Sequence, residues 1–68
     1  MKKLKNMREL RIKLNLSQLE FGKKLGVTQA SVAHWEAGRS NPSIPHGHMI
    51  AKLAARIGYK INNSYFRS

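Results

Sequence analysis

Apolar residues along the first half of the chain recur at helical spacing, and small polar residues and glycines interrupt them at regular intervals. Leu4, Met7, Leu10 (or Arg11) and Leu14 fall three or four apart, which predicts a first helix over residues 4–14. Asn15 is placed to stop it. Ser17 then reads as an N-cap with Glu20 three positions on, the spacing of a capping box, and Leu16 and Phe21 occupy the flanking positions of a hydrophobic staple. Gly26 offers a left-handed stop. The pattern repeats at once: Thr28 caps a third helix, Val27 and Val32 form its staple, and Gly38 closes it. Asn41-Pro42-Ser43 is a loop signal. A fourth helix is expected at least from His48 to Ile57, with Ile50, Leu53, Ala54 and Ile57 on one face. Ser43 as cap and Pro45 in the first turn would start it earlier, and Gly58 ends it. Residues 59–68 form a short tail, expected to be a turn and a stub helix.

The caps at Ser17 and Thr28 lie eleven residues apart, so the second and third helices meet across about three residues centred on Gly26. β-branched residues never cluster. The expected fold is all-α, a compact bundle of four to five helices containing a helix-turn-helix. Sixty-eight residues make one domain, 1–68, with residues 1–3 as a basic N-terminal arm. A domain of this size buries only about 60% of the surface of its unfolded chain. It has no cysteine for a disulfide or a thiolate metal site. No apolar run approaches the roughly 18 residues of a membrane span. Charges interrupt the basic start, MKKLKNMREL, too soon for a signal-peptide core.

Charge changes the picture more than composition does. Thirteen Lys and Arg face three Asp and Glu, a formal net charge of +10. A polyanionic partner follows: nucleic acid, an anionic membrane face or an acidic protein. Yet no Lys or Arg occurs between Lys24 and Arg39, the stretch that holds the third helix. A helix entering a DNA major groove must bring its backbone near the base edges. Long cations there would seek phosphates, which position a protein but carry no sequence information directly. Short and amide side chains in the window, with cations on either side, suit a reading surface.

MRELRIKLNLSQLEFGKKLGVTQASVAHWEAGRSNPS also resembles the phage Cro and lambda-repressor-like helix-turn-helix family. The matching pieces are Leu10-Arg11 four residues before Leu16-Ser17-Gln18, the LGVT turn, Trp35-Glu36 with Gly38, and the following Pro42-Ser43. The likeness covers roughly residues 4–58. It implies that the helix at about 28–37 reads the major groove of double-stranded DNA. Gln29, at the start of that helix, is the leading candidate for a base contact, through a bidentate bond to adenine N6 and N7. Ala30 and Ala33 offer methyls to thymine methyls, or serve only helix propensity. His34, one turn beyond Ala30, faces a base edge or phosphate, or stands idle. Ser31 is a candidate phosphate contact. Val32 and Trp35 are assigned to the core, Trp35 against helix one or four.

The resemblance further implies an ion pair between Glu36 and Arg11, which would aim the guanidinium towards a phosphate. Gln18 would contact the DNA backbone and brace Gln29. Ser17 joins the phosphate set because helix N-termini favour anions. Arg39, Ser40, Asn41 and Ser43 would lie along a phosphate strand, with Lys2, Lys3 and Lys5 as a supplementary basic arm. Three features depart from the family pattern: Gly22 where Ala is usual, the apolar Leu19 at a commonly polar position, and the longer IPHGH run before helix four. His46 and His48 do not share a helix face and lack an evident third ligand, so no metal and no cofactor are expected.

The family likeness implies a transcriptional regulator, most like a phage Cro or repressor domain, acting in the cytoplasm of a bacterial or phage-infected cell. Two-fold dimers on palindromic operator DNA are the family's usual solution. Tyr59, Ile61, Tyr65 and Phe66, or the loop before helix four, are the candidate dimer contacts, unless they close the monomer core. An alternative is an antitoxin or restriction-modification controller that uses the same fold to bind DNA and a protein. A basic amphipathic membrane peptide is disfavoured by the short, capped helices. An enzyme is disfavoured because three acids leave no clustered catalytic set.

Overall fold

The computed structural model describes residues 2–61. Its elements, in chain order, are β1 (Lys2–Leu4), α1 (Met7–Lys13), α2 (Gln18–Leu25), α3 (Gln29–Glu36), α4 (Ile44–Arg56) and β2 (Tyr59–Ile61). The first three helices begin alike, on caps spaced eleven residues apart. Asn6, Ser17 and Thr28 are extended, and each side chain accepts the N–H three residues on, from Glu9, Glu20 and Ser31. At Ser17 the capping box is complete: its own N–H donates to Glu20 Oε1 at 2.8 Å while Oγ accepts from the Glu20 N–H at 3.1 Å. Asn6 and Glu9 nearly repeat the device, the carboxylate reaching the Lys5 N–H at 3.2 Å.

The three helices also end alike. Asn15, Gly26 and Gly38 take the left-handed conformation, at φ 58°, 75° and 77°. The residue after each donates its N–H five positions back: Leu16 to Arg11 O, Val27 to Gly22 O and Arg39 to His34 O, at 3.1, 2.9 and 2.9 Å. This is the Schellman closure, which satisfies carbonyls a helix end would otherwise leave open. Helix α4 starts at Ile44, with Ser43 as its N-cap residue and Pro45 in the first turn, so the earlier of the two expected starts is the observed one.

Both chain ends differ from expectation. The first helix begins at Met7, three residues later than its spacing predicts, because Asn6 is extended (φ −157°, ψ 174°) and caps it. Leu4 lies in a strand instead. Strands β1 and β2 pair in parallel, Lys2 with Tyr59, Lys3 with Lys60 and Leu4 with Ile61. Lys2 and Lys3 are therefore held in a ladder and are not a loose arm. Residues 59–61 of the tail form a strand where a turn was expected, and the rest of the tail lies outside the described residues. The driving force is burial: Leu4 and Ile61 both enter the core, while the paired lysines face solvent. Exposed lysines on such short strands also discourage further strand addition.

The core joins Leu4, Met7, Leu10, Phe21, Leu25, Val32, Trp35, Ile50, Ala54 and Ile61, so every element contributes to it. Trp35 is buried, with its ring tilted 45° to that of His46 on α4 at 5.7 Å between centroids. Tyr59 packs against the core edge and lies beneath Lys13 Nζ, 5.0 Å from its ring centroid. That cation–π contact ties α1 to β2 and is worth about 0.5–1 kcal/mol at an exposed site. Ile61 is thus consumed by the monomer core and is not available as a dimer contact. Tyr65 and Phe66 lie outside the described residues.

Helix α2 packs most extensively against α3, and Gly22 sets how closely the turn between them approaches. A Cβ on Gly22 would stand 2.8 Å from the Val27 carbonyl oxygen and 3.2 Å from that of Thr28. Both are backbone atoms of the turn itself, so neither can swing aside. Gly22→Ala is expected to lower the melting temperature, because overpacking costs about 1–3 kcal/mol against roughly 1 kcal/mol of helix propensity gained. Thermal unfolding checks this; an unchanged or higher midpoint would mean that the turn relaxes freely.

Candidate nucleic-acid interface

A partly buried ion pair positions the surface. Arg11 Nε donates to Glu36 Oε2 at 2.7 Å and Nη2 donates to Oε1 at 3.2 Å, so the contact is bidentate. The two side chains are only 14% and 7% exposed. Arg11 Nη1 also donates to the Leu16 carbonyl at 3.0 Å, and Gln18 Nε2 donates to Glu36 Oε1 at 3.2 Å. One carboxylate thus gathers α1, the start of α2 and the end of α3. Hydrogen bonding to Glu36 raises the Arg11 pKa above its already high ordinary value, outweighing the opposite effect of burial, so the guanidinium stays charged. With three N–H groups turned inward, Arg11 is first a positioning group and presents little surface to a phosphate. The amide of Gln18 braces Glu36, not Gln29.

Helix α3 separates its faces cleanly. Val32 and Trp35 are buried, Gln29, Ala30 and His34 are exposed, and Ser31 and Ala33 are half-buried. Gln29, Ala30, Ala33 and His34 therefore share the outward side, with no cation among them. The Gln29 side chain makes no hydrogen bond to another described residue, so its amide is free for an external partner. Lys23 and Lys24 at the end of α2, and Arg39, Ser40 and Asn41 after α3, are exposed on either side of the window.

The helix starts are not equivalent. At α2, the Ser17 and Glu20 N–H groups are taken by the capping box, which leaves those of Gln18 and Leu19. The hydrogen bonds from Ser17 hold the Glu20 pKa below its ordinary value, so a negative charge already offsets that end of the helix. At α3 there is no acid in the first turn. Thr28 Oγ1 accepts the Ser31 N–H and lies 3.1 Å from Ser31 Oγ, while the N–H groups of Gln29 and Ala30 remain open. The α3 start is thus the more receptive to an anion, a difference that a cap motif alone does not disclose. Ser43 Oγ is engaged with His46 Nδ1 at 2.8 Å, which draws its hydroxyl towards α4. That bond went unforeseen in the sequence, although Ser-x-x-His across a helix start is a visible spacing.

Among the described residues no cluster of three side chains could hold a metal ion, and no helix is long and apolar enough to cross a membrane. Two short helices joined by a glycine turn, with an exposed cation-free face on the second, define the helix-turn-helix class. The helix-turn-helix family model matches residues 7–63, and the chain belongs to that family, in its Cro and lambda-repressor-like branch. The family consists of DNA-binding transcriptional regulators and is not typically enzymatic.

Curated relatives agree. An uncharacterized HTH-type transcriptional regulator of Methanothermobacter thermautotrophicus is 38% identical over 50 residues, covering 74% of this chain and 72% of its own. Two proteins of the same description from Archaeoglobus fulgidus are 34% and 36% identical over 47 residues, covering 69% of this chain and 66% and 67% of theirs. The chain thus spans about two thirds of the length of those two relatives. No solved structure was found to match.

Because the Glu36 side chain is only 7% exposed, removing its partner alone should be destabilising. Arg11→Ala is expected to cost about 1–3 kcal/mol, between the ranges of exposed and fully buried pairs. Replacing both groups, Arg11→Met with Glu36→Leu, is expected to recover most of that loss. Urea denaturation of the single and double variants checks the pair. A single variant within about 1 kcal/mol of the parent would show that the carboxylate finds water.

Proposed function

We propose that the chain is a sequence-specific double-stranded DNA-binding transcriptional regulator, a repressor of the phage Cro and lambda-repressor type. The observation that carries this reading is the outward face of α3. It holds amide, methyl and imidazole groups free of cations, on a protein of net charge +10 whose nearest Lys and Arg stand on either side. In the complex, Gln29 pairs with an adenine edge, Ala30 and Ala33 meet thymine methyls, and His34 contacts a base edge one turn further in. Phosphates are held by the hydroxyls of Ser17 and Ser31, by Gln18, and by Arg39, Ser40 and Asn41. Ser43 contributes from the residue position before α4, and Arg11 through the position it gives Glu36.

Repression follows from occupancy: a protein seated on its operator excludes others from the same DNA. One module reads a half-site, so the chain binds as a homodimer on a palindromic operator, with half-sites about 34–36 Å apart. Cytoplasmic action in a bacterial or phage-infected cell belongs to the same reading, although the relatives named above are archaeal. A second reading, an antitoxin or restriction-modification controller, draws support from Leu19, which is 48% exposed on α2. Leu19→Ser would weaken capture of such a partner without altering DNA affinity.

Selection of bound sites from a random duplex pool at fixed salt tests the main reading. The parent is expected to enrich a two-fold motif, and Gln29→Ala to lose preference at one position of each half-site, by about 1–3 kcal/mol. Arg39→Ala is expected to weaken all sequences alike and to reduce the salt slope by about 0.9. A uniform loss in Gln29→Ala, or an unchanged slope in Arg39→Ala, would remove that residue from its assigned role.

A further inference from the structure

A second surface lies between the end of α2 and the middle of α4. A cleft of about 270 Å³ there is lined by Leu25, Met49 and Leu53 and rimmed by Lys24, Lys52 and Arg56. Along α4, Met49, Leu53 and Ile57 fall four residues apart and form one stripe, about 12 Å long at the helical rise. The stripe is not covered: Met49 is 40% and Ile57 38% exposed. Lys52 and Arg56 flank it, also four apart, and with Lys24 they are exposed. None of the three cations has a carboxylate partner among the described residues.

We propose that this cleft docks an acidic amphipathic helix of another protein, its apolar side chains on the stripe and its carboxylates on Lys24, Lys52 and Arg56. The apolar floor and the charged rim together select this occupant. A nucleic-acid backbone would use the cations but leave Met49 and Ile57 unsatisfied. A second copy of this chain would cover the stripe but bring further positive charge. Its three acids are already engaged: Glu9 with the Lys5 N–H in the link between β1 and α1, Glu20 in its capping box and Glu36 with Arg11. Only a partner that supplies its own carboxylates satisfies both halves of the surface, in the helix-in-groove manner. The cleft is lined by residues of α2 and α4 and includes none of the outward residues of α3. A regulator with such a surface recruits a second protein to its DNA, or is controlled by one.

The full chain, with methyl-labelled Met, Leu and Ile, is titrated with a synthetic helical peptide bearing Leu at i, i+4 and i+7 and Glu on the flanking positions. Binding is expected to shift the Met49, Leu53 and Ile57 methyls and to persist in Gln29→Ala, which separates this site from the DNA-reading face. A Lys52→Glu, Arg56→Glu double variant, checked for an unchanged melting profile, should bind about tenfold more weakly. The same peptide with Gln for Glu should lose affinity similarly. Equal binding by the Gln peptide, or shifts confined to other residues, overturns the proposal. So does movement of these methyls on adding a short duplex alone, which assigns the cations to DNA, or on concentrating the protein alone, which assigns the stripe to a second copy.

Discussion

The carboxylate of Glu36 stands in the last turn of α3, where the helix dipole is already negative and the side chain is largely shielded from water. By itself that placement would be strongly unfavourable. It is sustained by the bidentate contact with Arg11 and the further bond from Gln18, one from α1 and one from the first residue of α2. Arg11 in turn closes on the chain after its own helix: its guanidinium donates to the Leu16 carbonyl while its carbonyl accepts the Leu16 N–H. A pair of this kind need not add net stability over apolar residues of the same size. What it supplies is register. Apolar packing around Phe21 and Val32 would tolerate some sliding of α3, whereas the fork of a guanidinium on a carboxylate tolerates little. A helix that inspects base edges needs its side chains fixed to within fractions of an ångström, and this contact fixes its far end.

The near end of α3 is fixed by backbone chemistry. Gly26 in the left-handed region turns the chain, Val27 bonds back to Gly22, and the missing side chain of Gly22 lets the turn approach α2 closely. Thr28 then caps α3 without placing a negative charge at its start. The outward face between these two anchors is left to residues whose side chains make no hydrogen bond to another described residue. The eight residues of α3 divide accordingly: Val32, Trp35 and Glu36 hold the helix, Ser31 bonds back to Thr28, and Gln29, Ala30, Ala33 and His34 face outward.

Much of this was legible in the sequence because it rests on local devices. Cap and stop residues at Ser17, Gly26, Thr28 and Gly38 act within one turn of themselves, so their spacing alone located α2 and α3. The Arg11–Glu36 contact spans 25 positions and was reached only through family likeness. The ends resisted for a physical reason. Leu4 lies at helical spacing from Met7, but a three-residue strand is too short for a period to show, and its partner is over fifty positions away. Asn6 with Glu9 had the same spacing as Ser17 with Glu20, and that signal would have placed the start of α1 correctly. The bond of Gln18 to Glu36, in place of Gln29, depends on side-chain reach in three dimensions, which no spacing encodes.

The central claim is that the outward face of α3 touches the bases. Intermolecular NMR contacts between the labelled protein and a duplex carrying its selected site test it most directly. The account predicts proximity of the Ala30 and Ala33 methyls to major-groove protons and thymine methyls, with the His34 ring beside them. Contacts confined to α4 or to the β1–β2 ladder, with α3 remote from the duplex, would contradict it.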